Sequence, residues 1–333
     1  MFFAHDPGGA QSIVPLLPEF SNSLVFAKGP ALSIIPYAQE LPENVLDTVM
    51  PDFLITGTSA DDFTERLLWN TATAMHIPSM AILDSWINYG VRFSKYGTES
   101  LHLFSGKCDY LPKYVCVPDE IAKKEMIKDG VPESVILTFG NPHFEYIAAR
   151  KRSSVALCAS VSDGKKTILF ASQPFNDIYR NGSELIVLND LIEVSKSYSD
   201  VDIRIRKHPK ESPDKFVSYL SNRVTIDLGD DIINSIAKAE IIVSVNSMVL
   251  IEAAFLNKKI ISYQPRSKSG KDDFILTKNG TLPFISCIDE FRIMFDELIK
   301  KENYSLKNKI KHIGVINQIK TFVEEQLYVT ASN

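Results

Sequence analysis

Several short polar stretches carry residue types that can hold a phosphate or move a proton. "RIRKHPKE" sets Lys207 and His208 directly ahead of Pro209. Proline fixes its own φ and biases the residue before it towards extended backbone, so the imidazole is aimed in a defined direction. A ring N–H beside an ammonium group is suited to a phosphate oxygen. "SVNSMVLIEAA" places Ser244, Asn246 and Ser247 ahead of a helical run. A helix start offers unpaired N–H groups and a partial positive charge, which also suits phosphate, and the two serines add hydroxyl donors. Glu252 falls about a turn and a half into that helix, where it could accept from ribose hydroxyls. The plain alternative is a helix capped by Ser247 with Glu252 on its solvated face. "FASQPFND" sets Gln173 ahead of a proline, as His208 is.

A second group lies nearer the N-terminus. "MFFAHDPGGAQSIVPLL" joins an apolar run to His5, Asp6, Gly8 and Gly9 and then to a helix start. These are the parts of a phosphate loop, but neither G-x-x-x-x-G-K-S/T nor G-x-G-x-x-G is present. The glycines are expected to form a sharp turn that lets backbone approach a bound group. "MAILDSWINYGVRF" ends a strand at Asp84, beside Trp86, Asn88, Tyr89 and Arg92. A carboxylate among aromatics at a strand end is a candidate general base or nucleophile; capping a turn is its plain alternative. Asp84 and Asp6 are the expected bases, with His5 nearby. Thr58, Ser59, Asp61 and Asp62 are expected to cap a helix that opens Ser59-x-x-Asp62. Asn141-Pro142 reads as a turn leading into a linker. No Asp-x-Asp stands at a strand end, so neither a metal nor another cofactor is expected.

What must position these residues is an alternation of short apolar runs with helical stretches, which implies βαβ units and parallel sheets. Strands are expected at 24–27, 52–57, 79–84, 114–119 and 134–140, and again at 167–172, 202–209, 224–229, 241–245 and 259–264. In open parallel sheets ligands bind beyond the carboxyl ends of the strands, and each candidate residue above follows a strand. The 333 residues suggest two domains. The expected division is a first domain 1–150, a linker 151–166, a second domain 167–315, and a helix 316–333 crossing back to the first domain.

Composition narrows the function classes. Hydrophobic residues are 45% and charged residues 23%, as in soluble globular chains. The net charge of −5 argues against a generic nucleic-acid binder. Cys108, Cys116, Cys158 and Cys287 form neither a C-x-x-C pair nor a zinc spacing, which fits free thiols in a reducing compartment. No apolar run is long enough to span a bilayer, and the N-terminus lacks the basic flank of a secretion signal. The expectation is a cytoplasmic protein. The basic segment 300–314 is suited to peripheral contact with the inner face of a membrane; a solvated basic helix is the alternative.

At this point the chain resembles GT-B glycosyltransferases. The Lys207-His208-Pro209 tip followed by a serine tip is similar to the His-Pro and Ser/Thr motifs of bacterial sialyl- and polysialyltransferases and capsular Kdo transferases. "VPDEIAKKEMIKDGVPESVILTFGNPHFEYI" looks like the end of the N-terminal domain of such proteins and, more distantly, of UDP-N-acetylglucosamine 2-epimerases. The resemblance implies two Rossmann-like parallel-sheet α/β domains facing across a cleft, with 1–150 binding the acceptor and 167–315 the nucleotide-sugar, which is a substrate. It implies that His208, Ser244 and Ser247 hold the donor phosphate, that Glu252 lies near the ribose, and that Gln173 belongs to a second donor motif. It further implies transfer of a sugar, first choice a CMP-linked sialic acid or Kdo, to a glycan or lipid-linked glycan in bacterial surface polysaccharide synthesis. The Asp/Glu-Asp/Glu-Gly motif of polysialyltransferases has no clear counterpart, and the epimerase "SGG" loop reads "SVNSM" here. The alternatives are a UDP-sugar transferase, a sugar-nucleotide 2-epimerase, and a non-catalytic sugar-nucleotide-binding protein.

Overall fold

The computed structural model describes residues 1–154, 164–175, 182–229, 231–267, 274–307, 310 and 313–331. Cys158, most of the expected linker (155–163) and residues 308, 309, 311 and 312 of the basic segment lie outside the described residues. The chain forms two compact units, Met1–Tyr146 with Ile310–Asn333 and Ile147–Lys309.

In unit 1 the strands are β1 (Phe2–Ala4), β2 (Val25–Ala27), β3 (Gln39–Glu40), β4 (Leu54–Thr56), β5 (Ser79–Ile82), β6 (Tyr114–Cys116) and β7 (Ile136–Leu137). They form a parallel sheet in the order β3-β2-β1-β4-β5-β6-β7. β1, β4 and β5 are wholly buried, as expected of strands covered on both faces. The helices are α1 (Pro7–Ile13), α2 (Val45–Val49), α3 (Thr64–Ala74), α4 (Glu120–Lys128) and α5 (Pro142–Ser154). Asp119 caps α4, its carboxylate accepting from the Ala122 N–H. The chain runs from β1 outwards to β3, then restarts beside β1 at β4, so the order reverses between β1 and β4.

Unit 2 repeats this plan with β8 (Lys166–Ala171), β9 (Val201–Arg206), β10 (Val224–Ile226), β11 (Ile241–Ser244) and β12 (Lys259–Ser262). All pair in parallel, in the order β10-β9-β8-β11-β12, and the reversal falls between β8 and β11. Its helices are α6 (Ser183–Ser195), α7 (Ile232–Lys238), α8 (Met248–Phe255), α9 (Ile275–Lys278) and α10 (Ile288–Lys300). α10 buries Phe291, Phe295, Leu298 and Ile299, one helical stripe. The last helix, α11 (Val315–Ala331), belongs to unit 1. Val315, Ile319 and Val323 join the core of Phe2, Ile13, Leu16 and Ile55, and Tyr114 donates its hydroxyl to Gln326 Oε1 at 2.6 Å.

Some local expectations change. Gly8 and Gly9 are not in a turn: they lie in the first part of α1, with Pro7 at its start, where a missing N–H costs nothing. α3 begins at Thr64 rather than Ser59; Asp62 accepts from the Thr64 N–H at 2.8 Å, while Ser59 donates elsewhere. Asn141-Pro142 opens α5 instead of a turn. Asn141 is fully buried and accepts from the His143 N–H. Residues 151–154, expected in the linker, continue α5.

The glycines of α1 are needed for proximity. A Cβ on Gly57 would stand 2.7 Å from Gly9 Cα, and one on Gly9 would stand 3.0 Å from Gly57 Cα. Both obstacles are backbone, which cannot swing aside. Gly57→Ala is therefore expected to destabilise unit 1 by about 1–3 kcal/mol through overpacking, lowering its thermal midpoint by roughly 3–10 °C. An unchanged midpoint in a calorimetric scan would show that the two backbones can separate freely.

Candidate functional site

The carboxyl edge of unit 2 is built at the reversal between β8 and β11, where open parallel sheets bind ligands. Gln173, two residues past β8, accepts the Asn246 N–H on its Oε1 at 3.0 Å. This bond ties the two diverging strand ends together. Ser247 is the N-cap of α8, and its hydroxyl accepts from the Val249 N–H at 3.3 Å. Ser244 does not join the presented group as expected. It is fully buried and gives its one hydroxyl proton to the Ala171 carbonyl at 2.6 Å, so it locks β11 to β8. Glu252 is buried in α8 at 4% exposure, which removes the solvated-face alternative.

His208 follows β9 on the same edge. Its Nδ1 accepts from the Lys210 N–H at 3.1 Å, so the neutral ring carries its proton on Nε2. Nε2 has no hydrogen-bond partner among the described residues. Burial, with Lys210 and Lys207 nearby, lowers the imidazole pKa below its usual value, with Glu211 pulling the other way. At neutral pH His208 is thus an uncharged N–H donor. Lys207 turns its ammonium towards the Glu211 carbonyl at 3.4 Å. Sequence reasoning missed the buried charges beneath this tip. Glu211 takes Ser172 Oγ at 3.0 Å and Lys215 Nζ at 2.5 Å on one oxygen, and the His208 backbone N–H at 2.8 Å on the other. Lys215 also reaches Glu184 at 2.6 Å.

In unit 1 the reversal lies between β1 and β4, and His5, Asp6 and α1 follow β1 there. His5 Nδ1 bonds Asp6 Oδ1 at 2.9 Å, and Nε2 lies 3.4 Å from Asp62 Oδ2. The Asp6 hydrogen bond, with Asp62 and Glu65 adding their charges, raises the His5 pKa against the cost of burial. Asp84, past β5, accepts from Arg92 Nη1 at 2.9 Å. Its other oxygen sits where a Gly8 Cβ would be, 2.1 Å away, so Gly8 makes room for the carboxylate. Arg92 is itself fixed by the Thr58 carbonyl, Thr58 Oγ1 and Ser85 Oγ. The edge therefore brings Asp84, Asp6 and His5 of the sequence reading to one end of the sheet, on the two strands that flank β4. Among the described residues no group of three or more His, Cys, Asp or Glu is placed to hold a metal ion.

The sequence reading also missed Glu65 and Arg66. Both are buried on α3. Arg66 donates to the carbonyls of Arg92, Ala60 and Val91. Glu65 Oε1 accepts from the His5 N–H at 3.2 Å and Ser59 Oγ at 3.0 Å, while Oε2 has no partner among the described residues. Burial raises its pKa to about 7. A signal was available: Glu65, Leu68, Trp69 and Ala72 fall on one helical stripe, so Glu65 is a charge on an apolar face.

No family model and no curated protein matches this sequence. Solved structures do. UDP-GlcNAc 2-epimerase from Neisseria meningitidis, bound to UDP-GlcNAc, matches with a TM-score of 0.69 at 14% identity, over 97% of this chain and 99% of that one. The UDP co-structure of MnaA from S. aureus gives 0.72 at 16%, over 98% and 96%. The wall teichoic acid polymerase TagF, as an H444N variant with CDPG, gives 0.59 at 10%, over 100% and 90%. The fold is GT-B-like. No described helix is long and apolar enough to cross a membrane.

Glu65 makes stability depend on pH. Its folded pKa lies above the unfolded one, so the folded state holds the proton more tightly and stability falls as pH rises from 4.5 towards 7. The displacement from 4.5 to about 7 corresponds to roughly 3 kcal/mol. Relative to wild type, Glu65→Gln should gain about that much between pH 4.5 and pH 8, measured by urea unfolding at both ends. An equal difference at both pH values would rule out a protonated Glu65.

Proposed function

We propose that this chain is an enzyme acting on a nucleotide-sugar, that the nucleotide binds the carboxyl edge of unit 2, and that the reaction is 2-epimerisation of a UDP-sugar. The observation that supports the nucleotide site is the Gln173–Asn246 bond at the strand reversal. It sets the capped start of α8 on the same edge as the His208 Nε2–H. Backbone N–H groups, a helix dipole and a neutral imidazole donor together suit a diphosphate. Glu252 is the proposed ribose contact.

The end-to-end likeness to UDP-GlcNAc 2-epimerases, among them UDP and UDP-GlcNAc complexes, favours a UDP-sugar over the CMP-linked donor expected from the short motifs. Epimerisation needs an acid and a base at the sugar and no acceptor. Asp84, Asp6 and His5 are the proposed groups. Arg92 would orient Asp84, and Asp6 and Asp62 would favour the protonated form of His5. A transferase is the second reading, favoured by the likeness to the teichoic acid polymerase and by the "SVNSM" tip.

Incubation with UDP-GlcNAc in D2O, without acceptor, separates the readings. The expected product is the C2 epimer carrying deuterium at C2, seen by proton NMR. Turnover that starts only when an acceptor glycan is added would replace the epimerase reading by the transferase one. His208→Ala is expected to weaken UDP binding about 10- to 100-fold through loss of a charge-assisted hydrogen bond. Asp84→Asn is expected to slow turnover at least about 100-fold while leaving UDP affinity near wild type. Calorimetric titration showing no UDP binding to the wild-type chain would overturn the nucleotide assignment.

A further inference from the structure

The buried carboxylate beneath the His208 tip has no place in the function proposed so far. Glu211 is 7% exposed. Both of its oxygens are engaged: Ser172 Oγ and Lys215 Nζ on Oε1, and the His208 backbone N–H on Oε2. Those donors come from three places: the loop after β8, the turn after β9, and the helical segment 213–219. Through Lys215 the network continues to Glu184 in the first turn of α6. Burying a carboxylate costs several kcal/mol unless it is paired and hydrogen-bonded. An apolar side chain could have filled this space without that cost. What the carboxylate adds is a fixed acceptor for the N–H of the one residue whose imidazole projects a free N–H on this edge.

We propose that Glu211 is the positioning residue of His208, a role that rests on reading His208 as the phosphate donor of this edge. Its carboxylate clamps the backbone on one side of the imidazole, and the Lys210 N–H clamps Nδ1 on the other. Together they leave Nε2–H as the presented atom. The charged groups around His208 are Lys207 and Lys210 beside it and Glu211 beneath it, backed by Lys215 and then Glu184. Glu211 is the negative charge that acts on the ring directly. It moderates the depression of the imidazole pKa caused by burial and by the two lysines. The same side chain thus sets both the direction and the proton affinity of the donor.

Two readouts on Glu211→Gln test this, with Asp214→Asn as the control. Asp214 is an exposed acid three residues on that does not touch His208. Glutamine keeps the shape but removes the charge and one acceptor. In the ligand-free protein, the His208 ring titration followed by NMR should have its midpoint lowered by about half a pH unit in E211Q; D214N should match wild type. UDP affinity, measured by calorimetry at pH 7, should fall about tenfold in E211Q. If E211Q does not fold, E211D carries the test. It keeps the charge but shortens the reach, so affinity should fall several-fold while the midpoint stays close to wild type. An unmoved midpoint in folded E211Q, or wild-type UDP affinity in E211D, overturns the proposal. The ring titration needs no ligand, so wild-type protein that fails to bind UDP sinks the nucleotide reading and leaves the Glu211–His208 coupling to be judged separately.

Discussion

The backbone of α1 touches the backbone past β4 at Gly9 and Gly57, with no room for a side chain on either. That approach governs unit 1. Where the strand order reverses, neighbouring connections leave the sheet in opposite directions and a crevice opens. In unit 1 the crevice is closed by two glycines, so that the residues just before them, His5 and Asp6, come level with those just after β5. Gly8 then faces Asp84, and any larger residue would displace a carboxylate that Arg92 already holds. Unit 2 meets the same geometric problem differently. There Gln173 spans the reversal and accepts from the Asn246 N–H. The side-chain amide ties the two diverging strand ends together just ahead of α8.

Both edges rest on buried charge, at a cost that packing alone would not require. In unit 1, Arg66 and Arg92 are buried among backbone carbonyls, and Glu65 is buried beside them. Guanidinium groups suit this because their planar fork serves several acceptors at once. They fasten the loop after β4 to the short 3-10 helix Gly90–Phe93 that follows β5. In unit 2, Lys215 lies between Glu184 and Glu211 and fastens α6 to the tip after β9. Removing one member of such a network leaves the others buried and unpaired, so each is held by its neighbours.

The α/β class and most of the strands were legible because buried parallel strands are short, nearly continuous apolar runs. "IIVSV" and "KIISYQ" could hardly be anything else, and the Asp119 cap of α4 follows directly from its position before a helical run. Strand ends were over-read because apolar residues continue past the last paired residue, as at Val117 and Val245. β3, only two exposed residues long, carries no apolar pattern at all. The candidate site was legible as a set of tips after strands, but not as a set of roles. Pro-Gly-Gly reads as a turn because glycine usually supplies unusual φ; here it supplies thinness inside a helix. Ser244 and Ser247 look alike in sequence, yet one is spent inside the sheet and the other caps α8. Bonds such as Ser172 to Glu211 and Arg92 to the Thr58 carbonyl were invisible, because they join residues far apart along the chain.

The two edges differ in electrostatic character, and the difference has a chemical meaning. The edge of unit 1 concentrates carboxylates: Asp6, Asp62 and Asp84 lie about the strand reversal with Glu65 beneath them. They are answered by a His5 whose proton affinity is raised and by a buried Arg92. An anionic ligand would meet repulsion there, but a polar, uncharged group such as a sugar hydroxyl or a carbon acid would find acids and bases already oriented. The edge of unit 2 presents N–H groups, a helix N-terminus and an imidazole kept neutral, with its carboxylates turned inward and engaged. Phosphate is favoured there by the N–H donors and the helix start that the edge presents. The acid–base groups and the N–H donors thus stand on different parallel sheets.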